Sequence, residues 1–165
     1  MYNFLDILSH ARTETDIIRE LTEDEASFRS LTRSWFEHSD LFVLLKLLSE
    51  RGHTVIITSD HGTIRVDNPI KVLGDRETSS NLRYKTGRNL QYNAREVYEV
   101  TRPEDIQLPR VNLSSSYIFA YNSDFLVYNN DANKFIRYYR NTFQHGGISM
   151  EEMMVPYIVL KPKKQ

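Results

Sequence analysis

Apolar positions along the chain change their rhythm several times, and each change predicts an element. Ala26, Phe28, Leu31 and Trp35 recur at roughly helical spacing, and Thr22-x-x-Glu25 ahead of them has the form of a capping box. A second helix is predicted over "LFVLLKLLSER", capped by Ser39 or Asp40 and closed by Gly52. "TVIITS" follows at once. Its apolar run is uniform rather than alternating, which predicts a strand covered on both faces of a sheet.

From Gly62 to Arg110 the pattern turns polar, with Pro, Gly, Asn and Arg interleaved. Only "IKVLG" and "REVYEV" read as short strands there, so an elaborated insertion over the sheet's edge is expected. "SYIFAY" and "DFLVYN" read as two strands joined by Asn122-Ser123. Between Asn129 and Phe143 the pattern predicts no definite element. Ser149-x-x-Glu152 can cap a brief helix, and "YIVLK" after Pro156 reads as a last strand. Together these elements predict an α/β fold with a mixed sheet.

Composition narrows the class. A chain of 165 residues suits one domain with a real core, and 40% hydrophobic with 26% charged residues is ordinary for a soluble domain. No apolar run approaches the ~20 residues that span a bilayer, and "MYNFLDILSH" lacks the marks of a signal peptide. No membrane association is expected. Zero cysteines exclude disulfides and thiolate metal sites, and they fit a reducing compartment, so a cytoplasmic location is expected. A net charge of −1 argues against general nucleic-acid binding. Charge is nevertheless uneven: residues 1–50 carry ten acids against five bases, whereas Arg83 to Arg95 carries four bases and no acid. That basic run suits either an anionic ligand or a solvated loop.

Candidate chemistry gathers in three places. Asp6 and His10 in "NFLDILSH" are four apart, which on a helix puts a carboxylate and an imidazole on one face. Asp60 and His61 are adjacent at the end of the predicted strand, and Gly62 permits a turn there. His145 in "QHGGIS" precedes two glycines, so backbone can pass close to a bound group. Oxygen and nitrogen ligands of this kind suit zinc or manganese. His38, beside Trp35, reads as a surface or packing residue, and His53 falls in a turn.

In that order, "D-x-x-x-H", "SDHG" and "HGGIS-x-EE-x-x-VP" resemble the metal-ligand series of the alkaline phosphatase superfamily. More closely, "YNFLDILSHARTE", "TSDHGTI", "NLRYKTGRNL" and "TFQHGGISMEEMMVPYIVL" resemble the PglZ domain, over essentially all 165 residues. Within that family the likeness is to PorX-type domains fused behind response-regulator receivers in Bacteroidetes, which implies a two-component signalling context.

The resemblance implies an alkaline phosphatase-like mixed sheet with flanking helices and a hydrolase acting on phosphate esters or nucleotides. It implies two zinc ions, with manganese as the alternative. Asp6, His10 and His145 would hold one, and Asp60 and His61 would contribute to the other. Arg83 and Lys85 in "RYK" are implied substrate-binding groups, and pairing with Glu77 or Glu96 is the plainer role for them. Tyr84 could stack a base or be buried. In the superfamily, the Thr or Ser nucleophile and a further Asp precede the D-x-x-x-H motif. Thr58, Ser59 and Thr63 do not occupy that position. Residues 1–165 are therefore expected to be the C-terminal portion of such a domain, inactive alone, with an exposed sheet edge that pairs with the missing N-terminal part or in a homodimer. The competing reading is a non-catalytic dimerisation or partner-recognition module that keeps the fold.

Overall fold

The computed structural model describes residues 7, 16–21, 24–74, 78–110 and 115–162. Two units share the chain, Met1–Asp60 with Val155–Gln165, and His61–Met154.

The first unit contains helices α1 (Asp16–Leu21), α2 (Glu25–Glu37) and α3 (Asp40–Glu50), strand β1 (Val55–Thr58) and the last strand, β9 (Tyr157–Leu160). Asp24 caps α2, its Oδ1 accepting the Ser27 N–H at 2.7 Å. Asp24 thus takes the role expected of Thr22, which lies outside the described residues. Ser39 caps α3 by accepting from the Phe42 N–H at 3.3 Å, and the Phe36 and Phe42 rings, 5.4 Å apart, pack α2 on α3.

At the far end of α3 the Gly52 N–H donates to Ser49 O (3.1 Å) and the His53 N–H to Leu48 O (2.9 Å). That is a Schellman closure, and it needs the left-handed φ of +76° that Gly52 adopts. β1 pairs antiparallel with β9, Val55 opposite Leu160 and Thr58 opposite Tyr157. Covering on both faces is not what β1 shows. Ile56 is 54% exposed, and all four residues of β9 are exposed.

The second unit carries β2 (Ile64–Val66), β3 (Asn68–Val72), β4 (Tyr84–Gly87), β5 (Val97–Val100), β6 (Ser116–Ala120), β7 (Asp124–Tyr128) and β8 (Thr142–Gln144). Helices α4 (Ala132–Tyr139) and α5 (Met150–Met153) complete it, with a 3-10 turn at Pro103–Ile106. β2 pairs antiparallel with β8, β3 parallel with β7, and β4 and β5 flank β6 antiparallel. Strand directions are mixed as expected, but the described strands are distributed over small sheets of two or three.

The stretch from Gly62 to Arg110 is no mere elaboration. Val66, Ile70, Val72 and Val97 from it are buried with Ile118, Leu126, Phe125 and Val127 in the core. β6 and β7 are the two strands expected around Asn122-Ser123, yet they belong to different sheets. Asn122 turns the chain at φ +36°, and the Asp124 N–H closes the turn on Tyr121 O at 2.8 Å.

Candidate metal centre

Two of the expected ligands lie in the second unit at one end of one ribbon. β2 begins at Ile64 and β8 ends at Gln144, and these two residues face each other in the antiparallel register. His61 just precedes β2 and His145 just follows β8, so strand pairing delivers both to the same end. Their rings stack, with centroids 3.8 Å apart and planes 12° from parallel.

His61 Nδ1 lies 3.0 Å from Gly62 O. A carbonyl only accepts, so in this contact Nδ1 carries the hydrogen and the bond fixes the plane of the ring. Metal-binding histidines are oriented by the same kind of bond. Imidazole is a donor that suits a borderline cation such as zinc. Rings in parallel planes suit one ion each, because their in-plane lone pairs do not converge on a single ion.

Glycines surround this pair for steric reasons. A Cβ on Gly62 would overlap the carbonyl oxygen of Glu151. On Gly147 it would meet Glu152 Oε2 at 2.5 Å, and on Gly146, whose φ is +98°, Asn81 Nδ2 at 2.8 Å. The two glycines after His145 thus admit protein side chains, where close approach of a bound group was expected.

Arg83 and Lys85 are the clearest departures from expectation. Arg83 is fully buried, and its guanidinium grips Glu152 as a fork, Nε to Oε1 and Nη2 to Oε2, both at 2.9 Å. Nη1 donates to the carbonyl oxygen of Asp124. Its carboxylate partner is Glu152 rather than Glu96, and Glu77 lies outside the described residues. A side chain so placed holds the fold and does not face a phosphate.

Lys85 is 1% exposed, with Nζ 4.5 Å above the Tyr128 ring, and burial pushes its amine down to about 8. Tyr84 is half-buried and packs with Tyr117 and Phe119 against Val100.

Glu152 is the residue that sequence reasoning saw only as a helix cap. It does cap: Oε2 accepts the Ser149 N–H at 3.2 Å. The same carboxylate also accepts from Arg83 and, through Oε1, from the Gly147 N–H at 2.9 Å. Burial pushes its pKa up, but the Arg83 fork and the two backbone N–H groups prevail and hold it below the usual carboxylate value.

Asp60 ends the other unit and is exposed, and Asp6 and His10 lie outside the described residues. Among the described residues no group of three or more His, Asp or Glu side chains forms a ready cation cage. His38 is exposed at the end of α2 with Nδ1 2.8 Å from Ser34 O, and His53 lies in the turn after α3, as expected of both.

No curated protein matches the chain. A family model does, that of the BREX system PglZ alkaline phosphatase-like domain, over residues 1–160. With almost its whole length matched, and with a mixed α/β architecture in place, this chain belongs to the PglZ family and carries a phosphoesterase-type, alkaline phosphatase-like fold.

Proposed function

We propose that the chain is the C-terminal portion of a metal-dependent phosphohydrolase or phosphodiesterase acting on a phosphate ester or nucleotide. The observation that carries this is the parallel His61–His145 pair at one ribbon end, with the His61 ring oriented by its Nδ1 contact to Gly62 O. Asp6, His10 and Asp60 join the ligand set on motif order, with zinc as the preferred ion and manganese as its substitute. A bound divalent ion supplies Lewis-acid stabilisation of developing charge on phosphate oxygens. This chain's own share is to present imidazole nitrogens on a rigid ribbon end. The Thr or Ser nucleophile belongs to an upstream segment.

Exposed apolar residues on β1 and β9, such as Ile56 and Tyr157, support the incomplete-domain part of the proposal, because strands from that segment would cover them. The same exposure favours the second reading, a dimerisation or partner-recognition module. The two-component context rests on the PorX-type likeness of the sequence motifs, and the cytoplasmic location on the lack of cysteine. Among the described residues no helix is long and apolar enough to cross a membrane.

Bis-p-nitrophenyl phosphate with zinc tests the reading. The chain alone is expected to give no appreciable turnover. A protein extended upstream is expected to turn the ester over and to lose that activity on His145→Ala. Robust turnover by the isolated chain, abolished by His145→Ala, would overturn the assignment of the nucleophile to an upstream segment. A zinc-loaded extended protein without esterase activity would favour the non-catalytic module.

A further inference from the structure

One residue touches the backbone beside both histidines. The carbonyl oxygen of Glu152 accepts the Gly62 N–H at 2.8 Å, one residue after His61. Its carboxylate accepts the Gly147 N–H at 2.9 Å, two residues after His145. Asn81 adds a third tie: Nδ2 donates to His145 O at 3.3 Å, while Oδ1 accepts the N–H groups of Arg83 (2.7 Å) and Tyr84 (3.1 Å). Arg83 links the two ties, since its side chain holds Glu152 and its backbone is held by Asn81.

We infer that Glu152, supported by Asn81 and Arg83, is a positioning residue that sets the His145 loop against the His61 loop and so fixes the spacing of the two imidazoles. A carboxylate this buried, saturated by a guanidinium and backbone donors, has few ways to rearrange. Two loops fastened to it move together or not at all. Its relevance to ion binding rests on the proposed metal site, whereas the positioning itself does not.

The full chain is measured first without metal, by the nuclear Overhauser contact between the His61 and His145 ring protons, and then by zinc titration. Glu152→Gln removes the charge facing Arg83 but leaves an acceptor for Gly147. Asn81→Asp keeps the acceptor for Arg83 and Tyr84 and replaces the donor to His145 O with a charged oxygen that repels it, so it decides the matter if Glu152→Gln does not fold.

The ring contact is expected to fall at least twofold in the folded variants, and zinc affinity to fall about tenfold or more, as for other outer residues that orient metal ligands. Ring contacts unchanged from the parent in every folded variant would overturn the inference, whatever zinc does. A parent that binds no zinc, but whose ring contact weakens in the variants, upholds the positioning role and removes the metal site. Fold content by circular dichroism separates either result from simple unfolding.

Discussion

The imidazoles of His61 and His145 lie face to face at 3.8 Å because the β2–β8 register brings the start of one strand to the end of the other. Backbone pairing sets the approach, and the buried Arg83–Glu152 fork stands beside it. The consequences separate into interactions that hold the fold and interactions that would serve a ligand.

The fork is a stability element first. Breaking a buried pair from one side leaves an uncompensated charge, so Arg83→Ala or Glu152→Ala is expected to cost about 3–5 kcal/mol in urea unfolding. Arg83→Met combined with Glu152→Gln leaves no bare charge and is expected to recover roughly half of that loss. The sign with pH follows from the lowered folded-state pKa of Glu152. Below its unfolded value of 4.5 the unfolded chain binds the extra proton, so the contribution is complete above 4.5 and is lost as pH falls through the folded value. Glu152→Gln is expected to flatten that part of the stability profile.

Lys85 costs stability where Glu152 adds it, although the slope with pH has the same sign. Its amine titrates near 8 in the fold against 10.5 when free. Between those values the unfolded chain binds more protons, so stability is expected to rise with pH there. Lys85→Met removes the slope. At pH 7 it is expected to stabilise the chain by on the order of 1–3 kcal/mol, the upper end being offset by loss of the Tyr128 contact. A variant less stable than the parent at pH 7, with the slope intact, contradicts the burial cost.

β9 offers four exposed residues, Tyr157 to Leu160, none of them charged. Strands of that kind associate. Sedimentation of the chain is expected to show self-association that Ile158→Lys or Val159→Lys reduces, with circular dichroism unchanged. A parent that stays monomeric at high concentration contradicts the proposal that these faces are partner surfaces.

Local signals made part of this legible in the sequence. Ser39, Gly52 and the Ser149–Glu152 spacing announce helix ends, because their partners lie within a few residues. β4 escaped because "YKTG" has no apolar alternation: its buried positions are Lys85 and Gly87. The uniform run of β1 suggested burial on both faces, but among the described residues β1 pairs with β9 alone and Ile56 is exposed. Glu152 in "MEEMM" resembles a charged helix surface, and its bond to Arg83 joins residues 69 positions apart. No short-range pattern encodes that. "DHG" and "HGG" did mark the two histidines that meet, and why their glycines are required became visible only through Glu151, Glu152 and Asn81.

Zinc K-edge absorption on the zinc-loaded chain tests the central claim most directly. Imidazole ligation predicts a first shell of nitrogen and oxygen at about 2.0–2.1 Å, with the outer scattering of histidine rings. That outer scattering should diminish in both His61→Ala and His145→Ala. Zinc that does not bind, or a spectrum that neither substitution changes, would contradict it.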